Sequence, residues 1–218
     1  GAANLTGNNL ANVLYAGVGN NVLNGSTGTD TVSYAYGVTG TTGITVSLAL
    51  TTAQVTGGSG SDTLLGIENL TGSTYADRLT GNSTANILDG GAGIDTMTGG
   101  DGSDIYYVRD LGDLVSETNA TASTGGIDTV YSTLNSYTLG ANVENGRLLS
   151  NSAANLTGNT LANVLYAGVG NNVLNGSTGI DTVAYTYGVT GTTGVSVSLA
   201  VTSAQATGGS GSDTLIAI

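Results

Sequence analysis

The sequence predicts an all-β chain wound as a parallel β-solenoid, in tandem units of 151 residues, and three observations carry that reading. The first is a nine-residue period through 7–33, 57–65 and 72–107, whose eighth place holds Leu14, Leu23, Val32, Leu64, Leu79, Leu88, Met97 and Tyr106, all apolar. Its sixth place is Asp or Asn throughout: Asn12, Asn21, Asp30, Asp62, Asp77, Asn86, Asp95 and Asp104. A turn of about six residues and a strand of about three, with one inward apolar side chain, describe a coil that advances by two nonamers. The second is composition: 37 Gly and no Pro. Gly costs a helix about 1 kcal/mol per residue relative to Ala, and the lack of Pro leaves strand ladders unbroken. The third is duplication, because residues 1–67 return as 152–218 with 55 identities and 12 differences. The chain therefore reads as roughly one and a half periods of a longer array, with a single duplication as the plainer alternative.

Taken in order, residues 1–33 form Asn-rich coils, in which Asn12 and Asn21 are expected to hydrogen-bond coil to coil as a neutral ladder. Residues 34–56 are a β insert: Ile44, Val46, Leu48 and Leu50 alternate with Thr45, Ser47 and Ala49, flanked by Tyr34 and Tyr36. This insert should lengthen the strands without adding glycine turns. Its Thr/Ser face is the outer side of plain core, with ice or a neighbouring chain as other ligands for such a face. Residues 57–107 carry the most regular nonamers, and residues 108–151 keep β character in an irregular connecting segment. There Asp110, Asp113, Glu117 and Asp128 read as a solvated acidic loop in preference to an irregular cation site. Residues 152–218 are the second copy of 1–67.

Composition excludes whole chemistries. With no His, Cys or Lys, the Ser-His-Asp and Cys-His mechanisms, the Lys of a P-loop and Cys/His zinc sites are closed. A net charge of −12 with only Arg78, Arg109 and Arg147 positive argues against nucleic acid or an anionic membrane as partner. No apolar run approaches the ~18–20 residues of a membrane span, and no leader sequence is visible. Eleven of the fifteen acids lie between Asp62 and Asp128, where the nonamers are most regular, so a cation is the expected partner. No EF-hand loop is present, GVGNNV lacks the third Gly of a dinucleotide fingerprint, and no acid pair is marked as catalytic. The chain is read as not an enzyme.

GGSGSDTLL, GGAGIDTMT and GGDGSDIYY match G-G-x-G-x-D-x-U-x with U apolar, and so resemble the RTX, or haemolysin-type, calcium-binding repeats. GIENLTGS and YTLGANVEN also resemble stretches found between RTX blocks of large secreted bacterial proteins. The resemblance implies a parallel β-roll with calcium as its ligand. Calcium takes six to eight oxygens at about 2.3–2.6 Å. A turn with its carbonyls and one Asp supplies about half a shell, and the turn 18 residues later supplies the rest.

The expected calcium residues are Gly58, Gly60, Asp62, Asp77, Asn86, Gly91, Gly93, Asp95, Gly100, Gly102, Asp104 and Asp113, with Asp30, Asp181 and Asp213 in the flanking copies. One edge should carry Asp62, Asp77 and Asp95, the other Asn86 and Asp104. Sites built on Asp77 rank lower, because Ser73 and Tyr75 replace Gly and Arg78 stands beside the carboxylate.

The function expected on this basis is a calcium-stabilised structural repeat of a large secreted bacterial protein, located extracellularly or at the cell surface. It would be an element of a stalk, fibre, surface layer or adhesin that folds when calcium binds, with self-association into fibres or layers as a further expectation. The alternative is the C-terminal module of a type I-secreted lipase, protease or epimerase. A catalytic domain or a third copy in the flanking sequence separates the two.

Overall fold

The computed structural model describes residues 2–119 and 125–218. All its regular structure is strand, and the chain divides into two compact units, Gly1–Gly126 and Ile127–Ile218. No helix among the described residues is long and apolar enough to cross a membrane.

In the first unit successive strands alternate between sheets. Val13–Tyr15, Thr31–Ser33, Asn69–Thr71, Ile87–Asp89 and Ile105–Val108 pair in that order, all parallel. Thr45–Ser47, Arg78–Thr80, Thr96–Thr98 and Leu114–Ser116 form a second parallel set. Asn4–Thr6, Val22–Asn24 and Gly60–Leu65 form a third, which Gln54–Gly57 extends in antiparallel sense. Register follows the nonamer: Leu14, Val32, Leu70, Leu88 and Tyr106 stand in one inward column, and Val46, Leu79, Met97 and Val115 in another. All nine are buried, and Val32, Leu70, Leu79, Leu88, Met97 and Tyr106 are at 0% exposure. A three-residue strand points only its middle side chain into the core, since neighbours point to opposite faces. The core is therefore a stack of single side chains, each contributing the ~1.5–3 kcal/mol of a buried aliphatic group. Leu88→Ala should cost about 2–5 kcal/mol, measured as a lowered denaturation midpoint in calcium.

The insert is shorter than its alternation predicted. The strand ends at Ser47, the chain turns at Leu48 and Ala49, and Leu50 is 48% exposed. It returns as Gln54–Gly57, and Gly57–Gly60 becomes the tight turn of a β-hairpin instead of a solenoid turn. Gln54 fastens the excursion by accepting from Ser47 N–H at 2.7 Å and donating to Ser47 O at 2.9 Å.

In the second unit Thr129–Ser132, Asn145–Leu148, Val164–Tyr166 and Thr182–Ala184 form one parallel sheet. Ser136–Thr138, Ala154–Thr157, Asn172–Asn175 and Gly211–Ile216 form the other, again with an antiparallel edge strand, Gln205–Gly208. Loss of the nonamer after residue 107 thus does not end the coiling. The inward place of Asn145–Leu148 is Gly146, because Leu139 and Leu156 already fill the space a Cβ would need. Arg147 lies on the outer side, its guanidinium 3.7 Å from the Tyr187 ring centre and 5.1 Å from that of Tyr131.

Candidate calcium-binding turns

At several nonamers the sixth-place residue turns its side chain back along the stack and accepts the backbone N–H of the sixth-place residue one coil earlier. Asp95 Oδ1 accepts from Asp77 N–H at 2.8 Å, Asp104 Oδ1 from Asn86 N–H at 2.7 Å, and Asp30 Oδ1 from Asn12 N–H at 2.8 Å. In the second unit Asp181 Oδ1 accepts from Asn163 N–H at 2.8 Å. Asn21 does the same for Ala3 N–H at 3.1 Å, as the neutral ladder predicted. Asn12, Asn86 and Asn163 instead turn Oδ1 onto Asn8, Asn82 and Asn159 N–H of their own turns, so the ladder expected of Asn12 is corrected. A carboxylate, however, has a second oxygen. Oδ2 of Asp30, Asp95 and Asp181 is buried and accepts no hydrogen bond from the protein. A buried anionic oxygen left in this state is costly unless a cation meets it, and calcium, which selects carboxylates and carbonyls, fits that position.

Burial, with the charges of Asp77, Asp113 and Asp110 adding to it, pushes the Asp95 carboxyl up to about 6. Burial alone pushes Asp104 up to about 6, against the lowering effect of the Asn86 N–H.

Glycine makes the fold-back possible. A Cβ on Gly99 would stand 2.0 Å from Asp104 Oδ2, and one on Gly90 2.1 Å from Asp95 Oδ2, so the first place is Gly for lack of room. Gly91, Gly93, Gly100 and Gly102, at the second and fourth places, have φ between 92° and 129°.

Other expected residues stand elsewhere or are differently occupied. Asp62 does not join the Asp77 and Asp95 column, because the insert intervenes. It lies in hairpin strand Gly60–Leu65 above Asn21, accepting from Asn21 N–H at 2.8 Å, Asn21 Nδ2 at 2.9 Å and Thr56 Oγ1 at 3.4 Å. Gly58 and Gly60 belong to that hairpin, against Thr42 and Gly19. Asp213 repeats the arrangement with Asn172 and Thr207. The Tyr34 and Tyr185 phenols beside these two acids are held well above their ordinary range, first by burial and then by the adjacent charge. Asp77 takes the Ile44 N–H at 2.7 Å and the Ser73 hydroxyl at 2.8 Å on Oδ1, with the Ser73 N–H on Oδ2. Burial raises it too, but both oxygens are served by the chain. Asn86 donates to Glu68 O at 2.8 Å. Asp113 completes its column by accepting from Asp95 N–H at 3.0 Å on one oxygen, and from Arg109 and Asp110 N–H on the other.

The solvated-loop expectation is corrected for Glu117 and Asp128, which are 7% and 1% exposed. Sequence reasoning also passed over two glutamates that keep the ladder continuous at interruptions. Glu68 Oε2 accepts from Asp30 N–H at 2.7 Å, and Glu144 Oε2 from Asp128 N–H at 2.8 Å. Each lies in an apolar–Glu–Asn string, Ile67-Glu68-Asn69 and Val143-Glu144-Asn145, and that recurrence was the available signal.

The RTX calcium-binding nonapeptide repeat, a four-copy family model, matches residues 6–35, 65–97, 80–113 and 152–183, just over half of the chain. The chain belongs to the RTX family. No curated protein matches it. RTX nonapeptide repeats bind calcium and occur in secreted bacterial proteins, and the family is a structural calcium-binding repeat. The matched segments include the ladder residues Asp30, Asp77, Asp95, Asp104 and Asp181, whereas Asp62 and Asp213 lie outside them.

Proposed function

We propose that the chain is a calcium-dependent structural repeat of a large secreted bacterial protein, an element of a stalk, fibre, surface layer or adhesin, that folds when calcium enters its turns. The observation that carries this reading is the second oxygen of Asp30, Asp95 and Asp181, buried beside glycine turns with no donor from the chain. Asp104 holds the Asn86 N–H on Oδ1 in the same way. Bound calcium would supply positive charge and take the carboxylate and carbonyl oxygens of the turns as its ligands. The chain's own part is to fix one oxygen of each carboxylate on a backbone N–H, aim the other into the turn, and keep side chains out of the space between. Without that neutralisation the acids repel one another and the glycine turns carry a large ordering entropy, so the coils stay loose. Asp62, Asp77 and Asp213, with both oxygens facing donors of the chain, are assigned to scaffold.

The test is circular dichroism of the chain in chelator and during calcium titration. A coil-to-β conversion with calcium is expected, and an unchanged β spectrum in chelator would sink the mechanism. Asp95→Asn keeps the acceptor for Asp77 N–H and removes the charged oxygen, so it should raise the calcium concentration needed for folding by about tenfold, ligand charge being what tunes calcium affinity. Asp62→Asn should leave that concentration unchanged.

A further inference from the structure

Glu117 stands one coil after Gly99, at the first place of a turn. Leu114–Ser116 pairs in register with Thr96–Thr98, and Asn119 Nδ2 reaches back one coil to Asp101 Oδ1 at 2.8 Å. Where Gly81 and Gly99 carry no side chain, this coil carries a carboxylate. The Glu117 side chain is buried, and one of its oxygens lies within 4.8 Å of a carboxylate oxygen of Asp104, also buried.

A third oxygen points the same way. The Tyr106 phenol is fully buried, and its hydroxyl makes no hydrogen bond to the protein. The point where a Cβ on Gly99 would stand is 2.1 Å from that hydroxyl and 2.0 Å from Asp104 Oδ2, so phenol and carboxylate converge on one spot. Two buried carboxylates side by side repel unless a proton or a cation lies between them. A hard cation is the better complement here, because carboxylates and a phenol are all oxygen donors.

We propose that Glu117, from outside the nonapeptides, joins Asp104 and the Tyr106 hydroxyl in holding an additional calcium ion. The proposal rests on the calcium-binding reading of the turns. The Glu117 and Asp104 carboxylates and the phenol oxygen supply up to about half of calcium's shell of ~6–8 oxygens, with carbonyls and water left for the remainder. In the regular repeat the first place must be empty so that Asp can fold back over it. At Glu117 the same place brings a ligand of its own, so this site does not depend on a following GGxGxD turn.

The experiment is calcium binding to the full chain by equilibrium dialysis. Glu117→Gln should lower the calcium bound at saturation by one ion, or weaken one site by about tenfold or more, leaving the remaining sites unchanged. An undiminished complement with unaltered affinities overturns the proposal. A wild-type chain that takes up no calcium overturns the nonapeptide reading itself, and this site with it. A second measurement needs no variant. The chain has three glutamates, Glu68, Glu117 and Glu144, of which Glu117 stands beside Asp104 in the buried acidic cluster. With glutamate carboxyls labelled in carbon-13, replacing calcium by strontium in the folded protein should shift a labelled carboxylate stretch in the infrared. No shift overturns the proposal.

Discussion

Acid should partly replace calcium. In chelator at pH 7.5 the chain is expected to show little β signal, and lowering the pH towards 5 should restore part of it and raise the thermal midpoint. Asp95 and Asp104 set the direction, since each carboxyl is raised to about 6 in the fold from an unfolded value near 3.9. A raised folded pKa means that the folded chain holds protons the unfolded chain has released. Stability from this source is complete below the unfolded value and is lost as pH rises through about 6. The sensitive window is therefore about pH 4–6, with calcium-free stability falling upward through it. Calcium inverts the slope, because an ion that needs the ionised carboxylate competes with the proton. Thermal melts across this window, with and without calcium, read both slopes. A calcium-free protein equally stable at pH 5 and pH 7.5 contradicts the expectation.

Gly93→Ala should be the most damaging of the small substitutions. Gly93 has φ 129°, a region nearly closed to residues with a Cβ. The added carbon would also stand 2.6 Å from Tyr75 C, 2.7 Å from Tyr75 O and 2.9 Å from Ala76 N, all backbone of the coil beneath. Neither part can relax without opening the stack, so a loss of about 3 kcal/mol or more is expected, strain and overpacking together. Gly17→Ala is the control, since nothing lies within 4 Å of its Cβ position and its φ is not positive. Denaturation in calcium compares the two, and equal midpoints would rule the argument out.

The repeat was legible because one side chain per strand has nowhere else to go. With Leu70, Leu88 and Tyr106 locked in a column, a period of nine appears as a period of apolar residues. The sixth-place acids were legible for the same reason: the ladder bond requires a short side chain with an acceptor at that place. What the nonamer cannot express is which oxygen a neighbour consumes. Asp77 and Asp95 share a pattern, yet Ser73 closes both oxygens of one and nothing in the chain closes the second oxygen of the other. Asp62 sits in a full GGxGxD string but acquires a hairpin, because the preceding insert supplies strand Gln54–Gly57 to pair with it. Glu68 and Glu144 escaped the pattern because their extra methylene reaches the same N–H from a different chain position.

The ladder also fixes how far along the chain each partner must wait. Within a regular stretch a coil finds its neighbour 18 residues away, as Asp77 finds Asp95 and Asn86 finds Asp104. That separation stays constant however many coils follow, so contact order does not grow with length and each new coil needs only the one before it. Where the insert intervenes, Asn21 must wait for Asp62 across 41 residues and Asp30 for Glu68 across 38. Loop closure is most expensive there, so those two junctions are where a chain emerging from one end should pause.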